Sequence, residues 1–480
     1  MRLPILFALA PLLVTSNVSF AQPAAPSVTE AALMRHIEVL ASDAYEGRKP
    51  GTAGETKTLN YLTAQFAALG LEPAGENGTW FQAVPLVLRQ AFAHRALFTR
   101  DGAPVEFAQG DVVLIGRKPV ERLADAPVWL LGTGGAEQLA GSDLRGAVVL
   151  TTQTSGAEAL NAALGKAGAA AVITVLGDDV PWQAVSGAAK RGRERLARED
   201  GLTVQGAMPR AAALRLTGEE RLAAAAQPGA GPVRLPVRAS LDVSTQVREY
   251  RSNNVIARLR GHGRSGEAVM ILGHWDHLGL CRADGEVDRI CNGAVDNASG
   301  MAMIIETARA LAAGPRPARD ILFMGTTAEE MGLLGAEWFG ANPTIPTPKL
   351  VAAINVDTVA IAPAGEPVAI VGRGTTPLDP IVDQAARELG RRVDSDTEAN
   401  AFVQRQDGYA LTRAGVPTIM AGGSFADLGK LGAFLSGPYH KHDDDLNRPI
   451  ELGGAAEDTT LTIALMRKLA DPKVYRPAAK

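Results

Sequence analysis

Val269-Met270-Ile271-Leu272-Gly273-His274-Trp275-Asp276-His277 is the stretch on which the fold turns. Four apolar residues end at a glycine and run straight into an imidazole and a carboxylate. A short, uninterrupted apolar run of this kind reads as a strand buried on both faces, the signature of a parallel sheet. Downstream, Ser299 to Leu311 places Met303, Ile304, Ala308 and Leu311 on one helical face. Ile321 to Met324 and Val351 to Val356 repeat the apolar run, and Val368 to Val371 and Thr418 to Met420 add two more. Strands alternating with helices predict an α/β fold, a mostly parallel sheet with helices on both faces. Such sheets bind ligands at the carboxyl ends of their strands.

Groups able to bind metal or move protons gather at those ends. The first strand leads to His274 and Asp276, the next to Thr326-Thr327-Ala328-Glu329-Glu330, and the third to Asn355-Val356-Asp357. Between them Gly293-Ala294-Val295-Asp296-Asn297-Ala298-Ser299-Gly300 opens a helix, and Tyr439-His440-Lys441-His442-Asp443-Asp444 lies near the C-terminus. Imidazole nitrogen and carboxylate oxygen are zinc ligands, and a carboxylate can bridge two ions. Adjacent residues at a strand end point apart, so one of Glu329 and Glu330 can bind metal while the other handles protons. Taken singly, Asp296 reads as a helix cap, the two glutamates as helix N-terminal acids and His440 as a surface residue. Their convergence on one sheet edge favours a site. His277 and His442 flank the set and read as supporting or exposed residues.

The combination His-x-Asp, Gly-Ala-x-Asp-Asn-Ala-Ser-Gly, Glu-Glu before Gly-Leu-Leu-Gly, a strand-end Asp and a late Tyr-His resembles the M28 family of metallo-aminopeptidases, from about Val28 to Gly110 and from about Val247 to Ala470. The resemblance implies a zinc exopeptidase domain with two Zn2+ per chain. His274 and Asp357 would hold one ion, Glu330 and His440 the other, and Asp296 would bridge them. Asp276 would accept the far N–H of His274, and Glu329 would be the general base. The implied activity removes residues from peptides with a free amino terminus. Alternatives on the same fold are a one-metal glutaminyl-cyclase-like enzyme, a dipeptidase or carboxypeptidase, and a non-catalytic binding ectodomain. Two departures stand out: Val295 where a second Asp is frequent, and Gln406-Asp407-Gly408-Tyr409 in place of Ser-Asp-His.

Residues 111–245 read as a smaller β-rich insert between peptidase segments 28–110 and 246–472. Its Asp143 to Leu150 and Lys166 to Ile173 stretches are similar to the protease-associated (PA) domain. At the start, Arg2, an apolar run to Val14 and Ser19-Phe20-Ala21 read as a signal peptide over 1–21, implying export to the periplasm or beyond. Cys281 and Cys291 share one short loop; in an oxidising compartment they can pair, contributing about 3 kcal/mol, and a metal site is the weaker reading. With net charge −4 and 21% charged residues, nothing points to nucleic acid, and no later segment suits stable membrane insertion.

Overall fold

The strand Ala268–His274 lies between Asp320–Thr326 and Leu350–Asn355 and is parallel to both. This computed structural model describes residues 28–477 except 140, 155 and 199–201; the expected signal peptide lies outside the described residues. Thr418–Gly422 extends the sheet in parallel beyond Leu350–Asn355. Antiparallel strands flank this parallel set, Ala369–Val371 on one side and Val233–Leu259 on the other. Register decides where the chemistry falls. His274 pairs with Thr326 and Leu272 with Asn355, so Asp276, Glu329 and Asp357 all leave the sheet at one edge.

The central strands are buried throughout because alternate side chains feed different cores. Val269, Ile271, Ile321 and Phe323 pack with residues of the helices Glu30–Leu40, Ala53–Ala68, Gly300–Ala312 and Gly453–Leu469. Met270, Leu272, Leu322 and Met324 pack on the opposite side with Phe339 of Leu334–Ala341 and Leu411 of Gly408–Arg413. Helices thus cover both faces, as the apolar runs predict.

Val233–Leu259 is one 27-residue strand. Its last residues pair with Asp320–Thr326, its first with Val120–Gly132. From there the sheet continues in parallel through Val148–Thr151, Ala171–Leu176 and Val204–Pro209. This second region has its own core, including Phe98, Val128, Leu150, Ile173 and Met208. The expected junction at residues 245 and 246 falls inside that strand: alternate residues are buried up to Thr245, and residues 246–251 are half-buried or exposed. Cys281 and Cys291 form a disulfide with Cα atoms 5.7 Å apart. Among the described residues no helix is long and apolar enough to cross a membrane.

A buried polar contact ties three helices together behind the site. His36 Nε2 lies 3.2 Å from Glu306 Oε1, His36 Nδ1 is 2.7 Å from the Tyr61 hydroxyl, and Arg309 Nε donates to Glu306 at 2.7 Å. Burial by itself would raise the Glu306 carboxyl, but the bonds to His36 and Arg309 outweigh it and hold it down to about 2. A carboxylate lowered on folding stabilises fully above its unfolded range and loses that contribution as pH falls toward its folded value. Glu306→Gln is expected to cost about 1–3 kcal/mol at pH 7. In urea unfolding, its deficit against the unaltered protein should shrink steadily from pH 5 downward; a pH-independent deficit would contradict the assignment.

Candidate metal centre

The loop before the helix Gly300–Ala312 is shaped by its own side chains. Gly293 has φ +61°, and a Cβ there would sit 2.1 Å from the Asp296 carbonyl oxygen and 2.5 Å from the His277 ring, so glycine is required. The Ser299 hydroxyl donates to Val295 O at 2.6 Å. The peptide bond between Asp296 and Asn297 is cis. Asn297 reaches the next strand end: its Nδ2 donates to Val356 O at 3.1 Å and its Oδ1 accepts from Thr358 N at 3.3 Å. One amide side chain therefore holds the backbone on both sides of Asp357. The non-glycine residues Ala328, Thr358 and His440 have φ of 55°, 53° and 59°, a left-handed conformation that concentrates at functional sites.

Two groups of donors result, and they share Asp296: His274, Asp296 and Asp357, and His277, Asp296 and Glu330. His274 Nε2 is 3.2 Å from Asp296 Oδ1 and 3.4 Å from Asp357 Oδ1. His277 Nδ1 is 2.5 Å from Glu330 Oε1. His440 Nε2 closes the second group from the rim, 2.7 Å from Glu330 Oε2 and 3.4 Å from Asp296 Oδ2. Despite this proximity His274 Nε2, both His277 ring nitrogens and Glu330 Oε1 are buried without a hydrogen-bond partner. Buried polar atoms are ordinarily satisfied. Imidazoles and carboxylates turned toward common points, with their bonding capacity unspent, fit divalent zinc in both chemistry and number of donors.

All the ligand residues expected from sequence come together here, and His277 joins them. It is fully buried rather than exposed. The exchange for Asp276 is different from the expected one. Its carboxylate Oδ1 is 3.9 Å from His274 Nδ1, whereas its backbone carbonyl lies at 3.1 Å. The carboxylate instead accepts the Glu329 amide N–H at 3.1 Å, because the strand register brings the Glu329 turn directly over it. Asp407, unassigned by sequence, is buried next to the set; it accepts from the Thr326 hydroxyl, and its Oδ1 has no partner. Its position in Gln406-Asp407-Gly408 was the available signal.

Electrostatics divides the acids. Burial raises Glu329 well above the usual carboxylate range and pushes Asp276 up to about 7 and Asp407 up to about 6. Burial also opposes ionisation of Asp296 and Glu330, yet both are lowered by the imidazoles set against them, His274 and His440 at Asp296, His277 and His440 at Glu330. Burial would lower His440, but the carboxylates of Asp296 and Glu330 beside it raise it to about 9. The Glu329, Asp357 and His440 side chains remain 12, 13 and 37% exposed, so the pocket opens to solvent on their side.

Residues 254–466 match the model of Peptidase family M28. A lattice of strand-end histidines and carboxylates on an α/β sheet is of the kind that holds metal in metallopeptidases, and the stretch that carries it is similar to peptidase family M28. It is 27% identical over 203 residues to a "Glutamate carboxypeptidase 2 homolog" of Caenorhabditis elegans, covering 39% of this chain and 23% of that protein. It is 29% identical over 203 residues to "Probable lipoprotein aminopeptidase LpqL" of Mycobacterium tuberculosis, covering 40% and 37%. The matched parts thus span well under two thirds of these relatives. The fold is similar to that of an aminopeptidase from Aneurinibacillus sp. strain AM-1, with TM-score 0.55 and 18% identity over 94% of this chain and 95% of that one.

A histidine raised above neutrality carries a proton that a metal must displace. Zinc titrated into metal-free protein at pH 7 should therefore release about one proton or more per chain, with affinity falling as pH drops. Calorimetry in two buffers of different ionisation enthalpy measures this, and zero net release would refute it.

Proposed function

We propose that the chain is an exported aminopeptidase that holds two zinc ions and removes residues from the free amino termini of peptides. The observation carrying this reading is the pair of three-residue donor groups sharing Asp296, with Glu329 beside His274 and a member of neither group. His274 and Asp357 would serve one ion, Glu330 with His440 the other, and Asp296 both; His277 lies close enough to Glu330 to serve the second ion as well. When bound, zinc supplies Lewis acidity, acidifying water and polarising the scissile carbonyl.

The chain's own residues do the rest. Glu329 Oε2 is 3.9 Å from His274 Nε2, and its carboxyl, raised by burial, is suited to accept the proton of the attacking water and pass it to the leaving amine near neutral pH. Asp276 fixes this turn by accepting the Glu329 N–H. The solvent-facing mouth is lined by Glu329, Asp357 and His440, and its two acids offer acceptors to an entering amino group. The β-rich region attached through Val120–Gly132 is read as a PA-like insert that shapes access, and the leader-like 1–21 segment supports export.

A carboxypeptidase reading has one observation in its favour, the name of the Caenorhabditis elegans relative. Leucyl peptides blocked at either end separate the two: loss of activity on N-acetylated substrates supports the aminopeptidase, and release from them at a free carboxyl end supports the alternative. Glu329→Gln is expected to keep its full zinc content while kcat falls about 10²- to 10⁴-fold. Turnover at the level of the unaltered enzyme would remove Glu329 from the reaction.

A further inference from the structure

Arg48 is 1% exposed, a guanidinium inside the protein directly behind the donor groups. It stands at the end of a left-handed turn, with φ of 51°, 63° and 53° at Glu46, Gly47 and Arg48. A Cβ on Gly47 would lie 2.3 Å from the Cys291 carbonyl oxygen, so the turn is wedged against the loop that precedes Asp296. Arg48 Nε donates to Trp275 O at 2.9 Å, between His274 and Asp276, and Nη1 to Leu40 O at 2.6 Å. Nη1 and Nη2 donate to Asn292 O at 2.6 Å and Gly293 O at 2.9 Å.

From the other end of the chain comes Asp444, fully buried. Its Oδ1 accepts from Val295 N at 2.9 Å and its Oδ2 from Asp296 N at 3.0 Å. Its backbone carbonyl accepts from Ala294 N at 3.1 Å. Across residues 292–296, the first two carbonyls are thus taken by Arg48 and the next three amides by Asp444. Neither residue belongs to a donor group.

We propose that Arg48 and Asp444 are positioning residues, a cation and an anion from opposite ends of the chain that clamp residues 292–296 so that Asp296 faces both donor groups before any metal enters. This rests on the metallopeptidase reading for its purpose, though not for its geometry. The clamp has two separable components. Arg48 bonds carbonyl oxygens rather than a carboxylate, so its charge is left to the surrounding acids, Asp444, Asp296, Asp276 and Glu330. Its fork of donors fixes the loop, a role that a point-charge lysine fills poorly.

The test uses the full mature chain and its Arg48→Lys, Arg48→Met and Asp444→Asn variants, stripped with a chelator and titrated with zinc against a chromophoric competitor. Hydrogen exchange is followed over residues 292–300 before and after loading. In the stripped unaltered protein the amides of 294–296 should already be protected. The variants should keep their circular dichroism yet lose that protection and bind zinc about 10- to 100-fold more weakly, as supporting partners of metal ligands do. Arg48→Lys should fall between the unaltered protein and Arg48→Met. The clamp is overturned if these amides become protected only on zinc loading, or if folded Asp444→Asn binds zinc as the unaltered chain does. Should a variant fail to fold, exchange in the stripped unaltered protein decides alone. Absence of zinc binding by the unaltered chain would sink the functional reading, while the same exchange measurement would still judge the clamp.

Discussion

Asp276, Asp296, Glu329, Glu330, Asp357, Asp407 and Asp444 crowd one end of the sheet, most of them buried, and their mutual repulsion is the constraint to which the neighbourhood answers. Two like charges 4 Å apart cost about 4 kcal/mol at an effective dielectric of 20. The protein meets this in three ways. Imidazoles stand within 3.4 Å of Asp296 on two sides. Buried acids without such partners, Asp276 and Asp407 among them, are pushed toward neutrality. Arg48 places a permanent cation behind the loop. A divalent ion entering such a pocket relieves repulsion as well as completing the unspent bonds of His274, His277 and Glu330.

Holding that arrangement is a task for backbone rather than for the donors themselves. Parallel register puts the strand ends level, which accounts for gross convergence. The finer placement comes from side chains that grip main-chain atoms: Asn297 around Asp357, Asp276 at the Glu329 amide, Asp444 at the Val295 and Asp296 amides. Each of these is a polar residue spent on the backbone of another segment. The left-handed backbone at Ala328 and Thr358 adjoins two of these contacts, at the Glu329 and Thr358 amides.

Much of this was legible in the chain. The apolar runs at Val269, Ile321 and Val351 predicted the central strands because residues buried on both faces leave an unbroken hydrophobic signal. The gathering of donors was legible because acids and histidines follow several such runs of one sheet, although each alone has a structural reading. Long strands were harder. Val233–Leu259 serves two sheet regions, and its alternating half resembles ordinary surface strand while its final residues are buried on both sides. Arg48 was hidden for a different reason: among Glu46, Gly47 and Lys49 it looks like part of a solvated turn, and only tertiary contact reveals it as buried. The same is true of His277, whose neighbours in sequence do not disclose that Glu330 will lie against it. Asp276 shows the converse limit, since its presence was foreseen but its partner depends on a turn at the end of the neighbouring strand Asp320–Thr326.

Glu329 and Glu330 show what the fold adds to a dipeptide. Identical in covalent chemistry and adjacent in sequence, they leave the strand in different directions. Glu330 turns to His277 and His440, whose imidazoles outweigh burial and hold it below the usual carboxylate range. Glu329 turns away from those two rings, 3.9 Å from the His274 imidazole nitrogen, and burial dominates. A carboxylate that stays charged is suited to hold a cation, and one that readily gains a proton is suited to exchange it with water. Environment alone therefore separates the two roles proposed for them. The separation requires both the turn that Asp276 fixes at the Glu329 amide and the imidazoles that reach Glu330 from two different loops.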